Sequence, residues 1–308
     1  MFNSFKDIES AVRLSGRRIT IAVAGSHDSH VLEAVVKACE RGLSKAVLIG
    51  HQAETERLLK DMGYTGQDMD FTFADMDGDE AIAAYACDMV VQKKADIPMK
   101  GIISTASFMR AILNKERGFV PSNALISQST LFEWQGRFIS VSLKDLQNAI
   151  INIAPDYDDK IKIIKNAAAL AKKAGIDCPK VAVLAPMEVV NPKIESSVHA
   201  AMLTMANKRG QIKECIIDGP LALDNAVSED AARRKGIDSE VAGHADILVV
   251  PDLDAGNMFT KSLTFFAGLK TAGTVNGTKI PVIMCSRTDS TDDKYHTVLA
   301  ALMQLICD

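Results

Sequence analysis

The sequence predicts an α/β protein built on parallel sheets, and three observations lead there. Short β-branched runs alternate with amphipathic stretches from one end of the 308-residue chain to the other. Strand, helix and strand in repeated succession require crossover connections, which place helices on the faces of a parallel sheet. The residues that follow the runs are mostly Gly, Ser, Thr, Asp and Arg, the inventory expected at the carboxyl ends of strands where such sheets bind ligands.

The clearest runs are 19–24, 46–49, 181–185, 214–217, 247–250 and 281–285, each four to six residues of largely Val, Ile, Leu and Ala. Weaker ones lie at 71–73, 102–103 and 138–141. Between them, 31–42, 159–174 and 196–209 carry helical periodicity. The last of these puts Val198, Met202, Met205 and Ala206 on one stripe, the expected buried face. The stretch from Val120 to about Pro155 is the least regular and is a natural place for a domain crossover.

Composition narrows the function classes. Hydrophobic residues make up 47% and charged residues 24%, with a formal charge of -4 and no long run of one sign. A nucleic-acid binder would carry a basic stripe; the densest basic cluster, Arg233-Arg234-Lys235, reads as a solvated helix face. Six cysteines occur without a CxxC pair, a pattern of reduced thiols. The first residues have no apolar signal core and no apolar run reaches membrane-span length, so a cytoplasmic protein is expected.

Three segments carry candidate chemistry. In Lys100-Gly101-Ile102-Ile103-Ser104-Thr105, a short strand ends in hydroxyls and opens a helix. Free backbone N–H groups there would face an anion, and Arg110 within the next two turns could clamp it. The competing reading makes Ser104 or Thr105 a helix cap and leaves Arg110 in water. In Pro251-Asp252-Leu253-Asp254-Ala255-Gly256-Asn257, a strand meets a polar loop whose Gly256 and Asn257 would allow close approach to a ligand, or which is simply a well-formed loop with an Asp-type helix cap. In Ser286-Arg287-Thr288-Asp289-Ser290-Thr291-Asp292-Asp293, a hydroxyl and a guanidinium stand at the end of the last strand with carboxylates close behind. That turn could combine an anion clamp, an oxyanion donor and a general base. Ser290 and Asp293 also fit a capping box, which would make Asp293 structural. His27-Asp28-Ser29-His30 offers ligand atoms but no third partner, so no metal is expected. There is no GxGxxG, Walker or GxSxG motif.

Taken together, these segments resemble the phosphate acetyltransferase and phosphate butyryltransferase family over nearly the whole chain. The carriers are Met99-Lys100-Gly101 through Ser104-Thr105, Asn152-Ile153-Ala154-Pro155, Val241-Ala242-Gly243, Ala245-Asp246-Ile247-Leu248, Pro251-Asp252 with Gly256-Asn257, and Ser286-Arg287. The Ser286-Arg287-Thr288-Asp289 turn and the modest length are more similar to the butyryl branch. The resemblance implies a reversible reaction in which acyl-CoA and phosphate give acyl phosphate and CoA, by direct thiolate attack in a ternary complex. It implies two α/β domains around a cleft, similar to isocitrate and isopropylmalate dehydrogenases: 1–125 with 277–308, and 126–276. It implies CoA as substrate rather than cofactor, no metal or nicotinamide, and a homo-oligomer.

Carried over by position, Arg110 and Arg287 would hold phosphate and Ser286 would stabilise the tetrahedral intermediate. Asp293 falls where the acetyl enzymes place their base, with Asp289 and Asp292 as the alternatives in the butyryl version. Lys100, Gly101, Ser104, Thr105, Asp252, Gly256 and Asn257 would contact substrate. The chain departs from the family at Gln147-Asn148, where a Thr-Asp pair is usual. Acetyl rather than butyryl specificity, a decarboxylating dehydrogenase on the same fold, and a non-catalytic acyl-CoA-binding protein are the alternative readings.

Overall fold

The computed structural model describes residues 1–64, 71–144 and 154–307. In chain order the elements are α1 (Phe5–Leu14), β1 (Ile19–Ala24), α2 (Ser29–Glu40), β2 (Ser44–Gly50), α3 (Gln52–Asp61), β3 (Phe71–Asp75), α4 (Asp79–Val91), β4 (Ile97–Lys100) and α5 (Thr105–Leu113). After a single 3-10 turn come β5 (Ser127–Trp134), β6 (Arg137–Lys144), α6 (Tyr157–Lys173), β7 (Lys180–Leu184), α7 (Glu195–Lys208) and β8 (Ile216–Leu221). The chain closes with α8 (Leu223–Val227), α9 (Glu229–Arg234), β9 (Ile247–Val249), α10 (Leu253–Phe265), β10 (Thr271–Asn276), β11 (Ile283–Met284) and α11 (Thr291–Ile306).

The chain forms two compact units, Met1–Ser4 with Leu125–Leu269, and Phe5–Ala124 with Lys270–Asp308. In the second of these the strands run in the order β11-β4-β1-β2-β3, every pairing parallel. Both faces of this sheet are covered, which is why β1 and β2 are almost continuously apolar and buried. The register sets Ala24 beside both Ile49 and Lys100, and Met284 beside Lys100, so four strand ends finish at one level. Thr271–Asn276 packs on α11 and β11 and groups with this unit. The resemblance had drawn that boundary at 276/277.

In the other unit β5, β6, β9, β7 and β8 lie side by side in that order. β5 and β6 form an antiparallel hairpin, while β6, β9, β7 and β8 are parallel. Alternate residues face opposite sides, as a pleated strand requires. Val181, Val183, Ile247 and Val249 enter one core with Ile164, Ala167 and Leu203 from α6 and α7. Ala182, Leu184 and Leu248 enter another with Val141, Ala226 and Val241.

Two local expectations are corrected and one strand is added. Ile102 and Ile103 are not a strand. The strand is Ile97–Lys100, which ends where the backbone turns at Gly101 against Gly25. The buried stripe of α7 is Ser197, Ala200, Leu203, Thr204 and Ala206, with Met202 and Met205 exposed. Small side chains let the helix approach its sheet closely, so the longer Met side chains face outward. The antiparallel strand β5 was missed because Ser127-Gln128-Ser129-Thr130 reads as polar. There Ser129 and Ser142 hydroxyls, 2.8 Å apart, satisfy each other across the hairpin. The basic cluster at 233–235 is a solvated face, its Arg233 and Arg234 both paired with Asp230. Among the described residues no helix is long and apolar enough to cross a membrane.

Candidate active site

The parallel sheet of β11, β4, β1 and β2 brings the Ser286-Arg287 turn next to Lys100-Gly101. Their strands are direct neighbours, with Met284 opposite Lys100. The strand ends come close because glycine is used where chains meet. Gly101 N–H donates to Ala24 O at 2.8 Å, and a Cβ at position 101 would lie 2.0 Å from Gly25 O. No other residue fits there without moving one of the two strand ends.

Lys100 is 3% exposed, and its Nζ donates to Gly101 O at 3.2 Å. Burial holds its pKa below the usual lysine range, and the positive charge of Arg287 lowers it further. Arg287 itself is exposed at the tip of the turn, with no ion-pair partner among the described residues. Two cations therefore converge on one sheet edge, and each raises the cost of the other's charge. An anion placed between them would relieve that repulsion.

The turn is held by three sets of bonds. Ser286 N–H donates to Asp289 Oδ2 at 2.7 Å, and Asp289 N–H donates back to Ser286 O at 3.3 Å. The hydroxyls of Ser286 and Thr288 are 3.1 Å apart. Beneath them Lys294, 3% exposed, donates from Nζ to Ser286 O at 3.2 Å and to Asp289 O at 2.5 Å. Cys285, just before the turn, is an unreactive thiol whose pKa burial pushes up to about 12.

Asp293 lies in the first turn of α11, where the capping box predicts it. Its N–H donates to Ser290 Oγ at 3.1 Å, and its Oδ2 accepts from the same hydroxyl at 2.6 Å. Its Oδ1 accepts from Thr271 N–H and Thr271 Oγ1, each at 3.1 Å. Asp292 is turned away to Lys37 at 2.6 Å, a bond that lowers its pKa.

Other predicted residues have local partners. Ser104 is the N-cap of α5, accepting from Ser107 N–H at 3.0 Å, while its own N–H donates to Asp79 Oδ2 at 2.8 Å. Thr105 is the first helical residue. Arg110 does not curl back toward the start of α5; its guanidinium is bound to Glu80 on the surface. Asp252 is the N-cap of α10, accepting from Ala255 N–H at 2.8 Å. Gly256 packs that helix onto its sheet, since a Cβ would meet Val250 at 3.0 Å and Leu143 at 3.2 Å. Asn257 is exposed. Met258 is exposed as well, while Phe259 packs on the core. Gln147, Asn148, Asn152 and Ile153 lie outside the described residues.

Two buried lysines escaped sequence reasoning. Besides Lys294, Lys160 on α6 is 3% exposed with its Nζ 3.1 Å from His199 Nδ1. Burial lowers its pKa, and the carboxylates of Glu195, Asp252 and Asp156 oppose that shift. The available signal was periodicity. Lys160 shares a helix face with Ile163, Ile164 and Ala167, and Lys294 shares one with Thr297, Val298 and Ala301. A lysine on an apolar stripe needs an internal acceptor or a ligand.

The chain is similar to known proteins over most of its length. A family profile described as "Phosphate acetyl/butaryl transferase" matches residues 76–302. The phosphate butyryltransferase of Clostridium beijerinckii is 40% identical over 284 residues, 92% of each chain. The phosphate acetyltransferase of Thermotoga maritima is 36% identical over 294 residues, covering 94% of this chain and 97% of its own. The crystal structure of a branched-chain phosphotransacylase from Enterococcus faecalis superposes with a TM-score of 0.80 at 33% identity, covering 93% of this chain and 99% of that one. With a profile spanning most of its length and relatives this similar end to end, the chain belongs to the phosphate acetyl/butyryl transferase family.

Proposed function

We propose that the protein is a phosphate acyltransferase of the butyryl type, moving a short acyl group reversibly between CoA and inorganic phosphate. The observation that carries the assignment is the convergence of buried Lys100 and unpaired Arg287 at adjacent strand ends, beside the Ser286 hydroxyl. Family membership supplies the reaction class.

In the direction of acyl-CoA synthesis, the CoA thiol, of ordinary pKa about 8.5, loses its proton to a carboxylate. The thiolate attacks the carbonyl carbon of the acyl phosphate. A C–S bond forms, the bond between the acyl carbon and the bridging phosphate oxygen breaks, and phosphate leaves with its charge held by Arg287 and Lys100. The oxygen of the tetrahedral intermediate takes a hydrogen bond from Ser286 Oγ. Two carboxylates compete for the role of base. Position in the family pattern points to Asp293; exposure favours Asp289, because Asp293 is 8% exposed and already accepts three bonds. Arg110, freed from its surface pair with Glu80, is a second phosphate ligand in this reading. Lys100, Gly101, Ser104, Thr105, Asp252, Gly256 and Asn257 contribute as substrate-binding backbone or caps. The isocitrate-dehydrogenase-like arrangement, homo-oligomerisation, a cytoplasmic location and the absence of a cofactor belong to the same proposal.

The test is to mix butyryl-CoA with phosphate and follow free thiol. Phosphate-dependent CoA release is expected. Its absence with every acyl-CoA from acetyl to valeryl would overturn the proposal.

A further inference from the structure

Lys100 differs chemically from the other buried lysines, which among the described residues are Lys160 and Lys294. Lys294 donates to two carbonyls of the Ser286 turn, and Lys160 Nζ lies 3.1 Å from His199 Nδ1. Lys100 Nζ has one acceptor, the carbonyl of the next residue at 3.2 Å, and no carboxylate pairs with it among the described residues. An ammonium has three N–H groups, so two are left for a ligand. Burial, and after it the charge of Arg287, favour loss of the proton, while Cys285, Asp28 and Asp79 act the other way. An ordinary exposed lysine at neutral pH is an uncharged amine in only about one molecule in a thousand. Lys100 therefore combines the position of an anion ligand with the chemistry of a nucleophile.

Its place follows from the β4–β11 register. Met284 is opposite Lys100, so only Cys285 separates that pairing from the Ser286-Arg287 turn. In the phosphate-binding reading given above, on which this inference rests, Lys100 and Arg287 hold the phosphate of an acyl phosphate. The acyl carbon is joined to that phosphorus through a single bridging oxygen. A nitrogen bonded to a phosphate oxygen at about 2.8 Å is thus close to the near-attack distance of about 3–3.5 Å from the acyl carbon. Ser286 Oγ stands at the same edge but is the weaker nucleophile. Its contacts are Thr288 Oγ1 at 3.1 Å and Thr288 N–H at 3.4 Å, and neither is a base.

We propose that Lys100 is a self-acylation site, where bound acyl phosphate transfers its acyl group to the Lys100 amine when no CoA is present to take it. The amine nitrogen attacks the acyl carbon. A C–N amide bond forms, the bond between the acyl carbon and the bridging oxygen breaks, and phosphate leaves. The surplus proton of the nitrogen goes to the departing phosphate, so no further reactant is consumed. The product amide is uncharged, and it fills the position at which phosphate binds. A phosphate ligand is thereby lost, and the protein without CoA is switched off by its own acyl phosphate. A bound CoA thiolate competes for the same carbon as the better nucleophile and protects the lysine.

The full-length protein is incubated at neutral pH with butyryl phosphate and no CoA, and acylated residues are mapped over time by peptide mass spectrometry. Lys100 is expected to gain one butyryl group about tenfold or more faster than the exposed Lys6 and Lys60, with inorganic phosphate slowing the reaction. Arg287→Gln should bring Lys100 down to the rate of the exposed lysines. Lys100→Arg, which keeps the charge without the nucleophile, should abolish time-dependent inactivation by butyryl phosphate. Mapping in the wild type stands whether or not that variant folds. The proposal is overturned if Lys100 stays unmodified, reacts no faster than Lys6 and Lys60, gains no protection from phosphate, or keeps its rate in Arg287→Gln. A butyryl group found on Ser286 instead also overturns it. The same preparation is assayed for phosphate-dependent CoA release from acyl-CoA. Release without labelling of Lys100 removes self-acylation alone, whereas no release with any acyl-CoA removes the reading on which it rests.

Discussion

Asp293 offers the sharpest separation of a structural from a chemical role. Its carboxylate accepts from Thr271 N–H, Thr271 Oγ1 and Ser290 Oγ, and so ties the start of α11 to the start of β10. In Asp293→Ala these donors lose their acceptor in a setting where Asp293 is 8% exposed and Thr271 equally so. A hydrogen bond to a charged group contributes about 1.5–3 kcal/mol, and a stranded buried donor costs about 1–3 kcal/mol. Because the bonds share one carboxylate they do not add fully, and a loss of about 3–4 kcal/mol is expected. Asp293→Asn keeps an acceptor oxygen and should lose about half of that. Urea unfolding at neutral pH measures both, with the midpoint moving and the slope unchanged. A cost below about 1 kcal/mol for Asp293→Ala would refute the anchoring argument. If Asp293→Asn loses turnover far beyond its loss of stability while Asp289→Asn does not, Asp293 is the base.

Three further outcomes follow from the same geometry. Arg287→Gln removes the unpaired cation of the turn and should raise the KM for phosphate roughly tenfold to a hundredfold, with KM for acyl-CoA little changed; equal changes in both would contradict a phosphate-binding role. Lys294→Met removes the ammonium that donates to Ser286 O and Asp289 O, and should cost about 2–3 kcal/mol of stability and lower kcat, both read in parallel by unfolding and initial rates. Lys100 has its pKa depressed by burial and by Arg287, so the unfolded chain binds more protons between that depressed value and 10.5, and stability rises with pH through the window. Lys100→Met should flatten that rise in a pH series of thermal melts, whereas in the wild type phosphate affinity should fall as the amine loses its charge.

Periodicity and composition were sufficient for the alternation of strands and helices, because burial on both faces of a parallel sheet demands near-continuous apolar runs such as Ile19–Ala24 and Ser44–Gly50. The same local logic located the cap at Ser290 and narrowed the other two to Ser104 or Thr105 and to an Asp of the loop before α10, since a cap is chosen by the few backbone N–H groups that follow it. The candidate turn at Ser286-Arg287 was legible for a similar reason: it follows an unmistakable run and sets a hydroxyl beside a guanidinium. Strand β5 was not, because its serines are satisfied across a hairpin that no local pattern reveals.

What tertiary structure decided are the pairings between distant segments. Only the β4–β11 register places Lys100 beside the Arg287 turn, and only the β1–β2 register stacks His27 on His51. Arg110 went to Glu80, thirty positions earlier in the chain, rather than to the helix start six residues away. Asp293 found Thr271, and Lys294 found the carbonyls of the turn before it. A sequence specifies which groups can donate, accept or carry charge. Which of them meet depends on strand order and register, and these are set by the packing of the whole sheet.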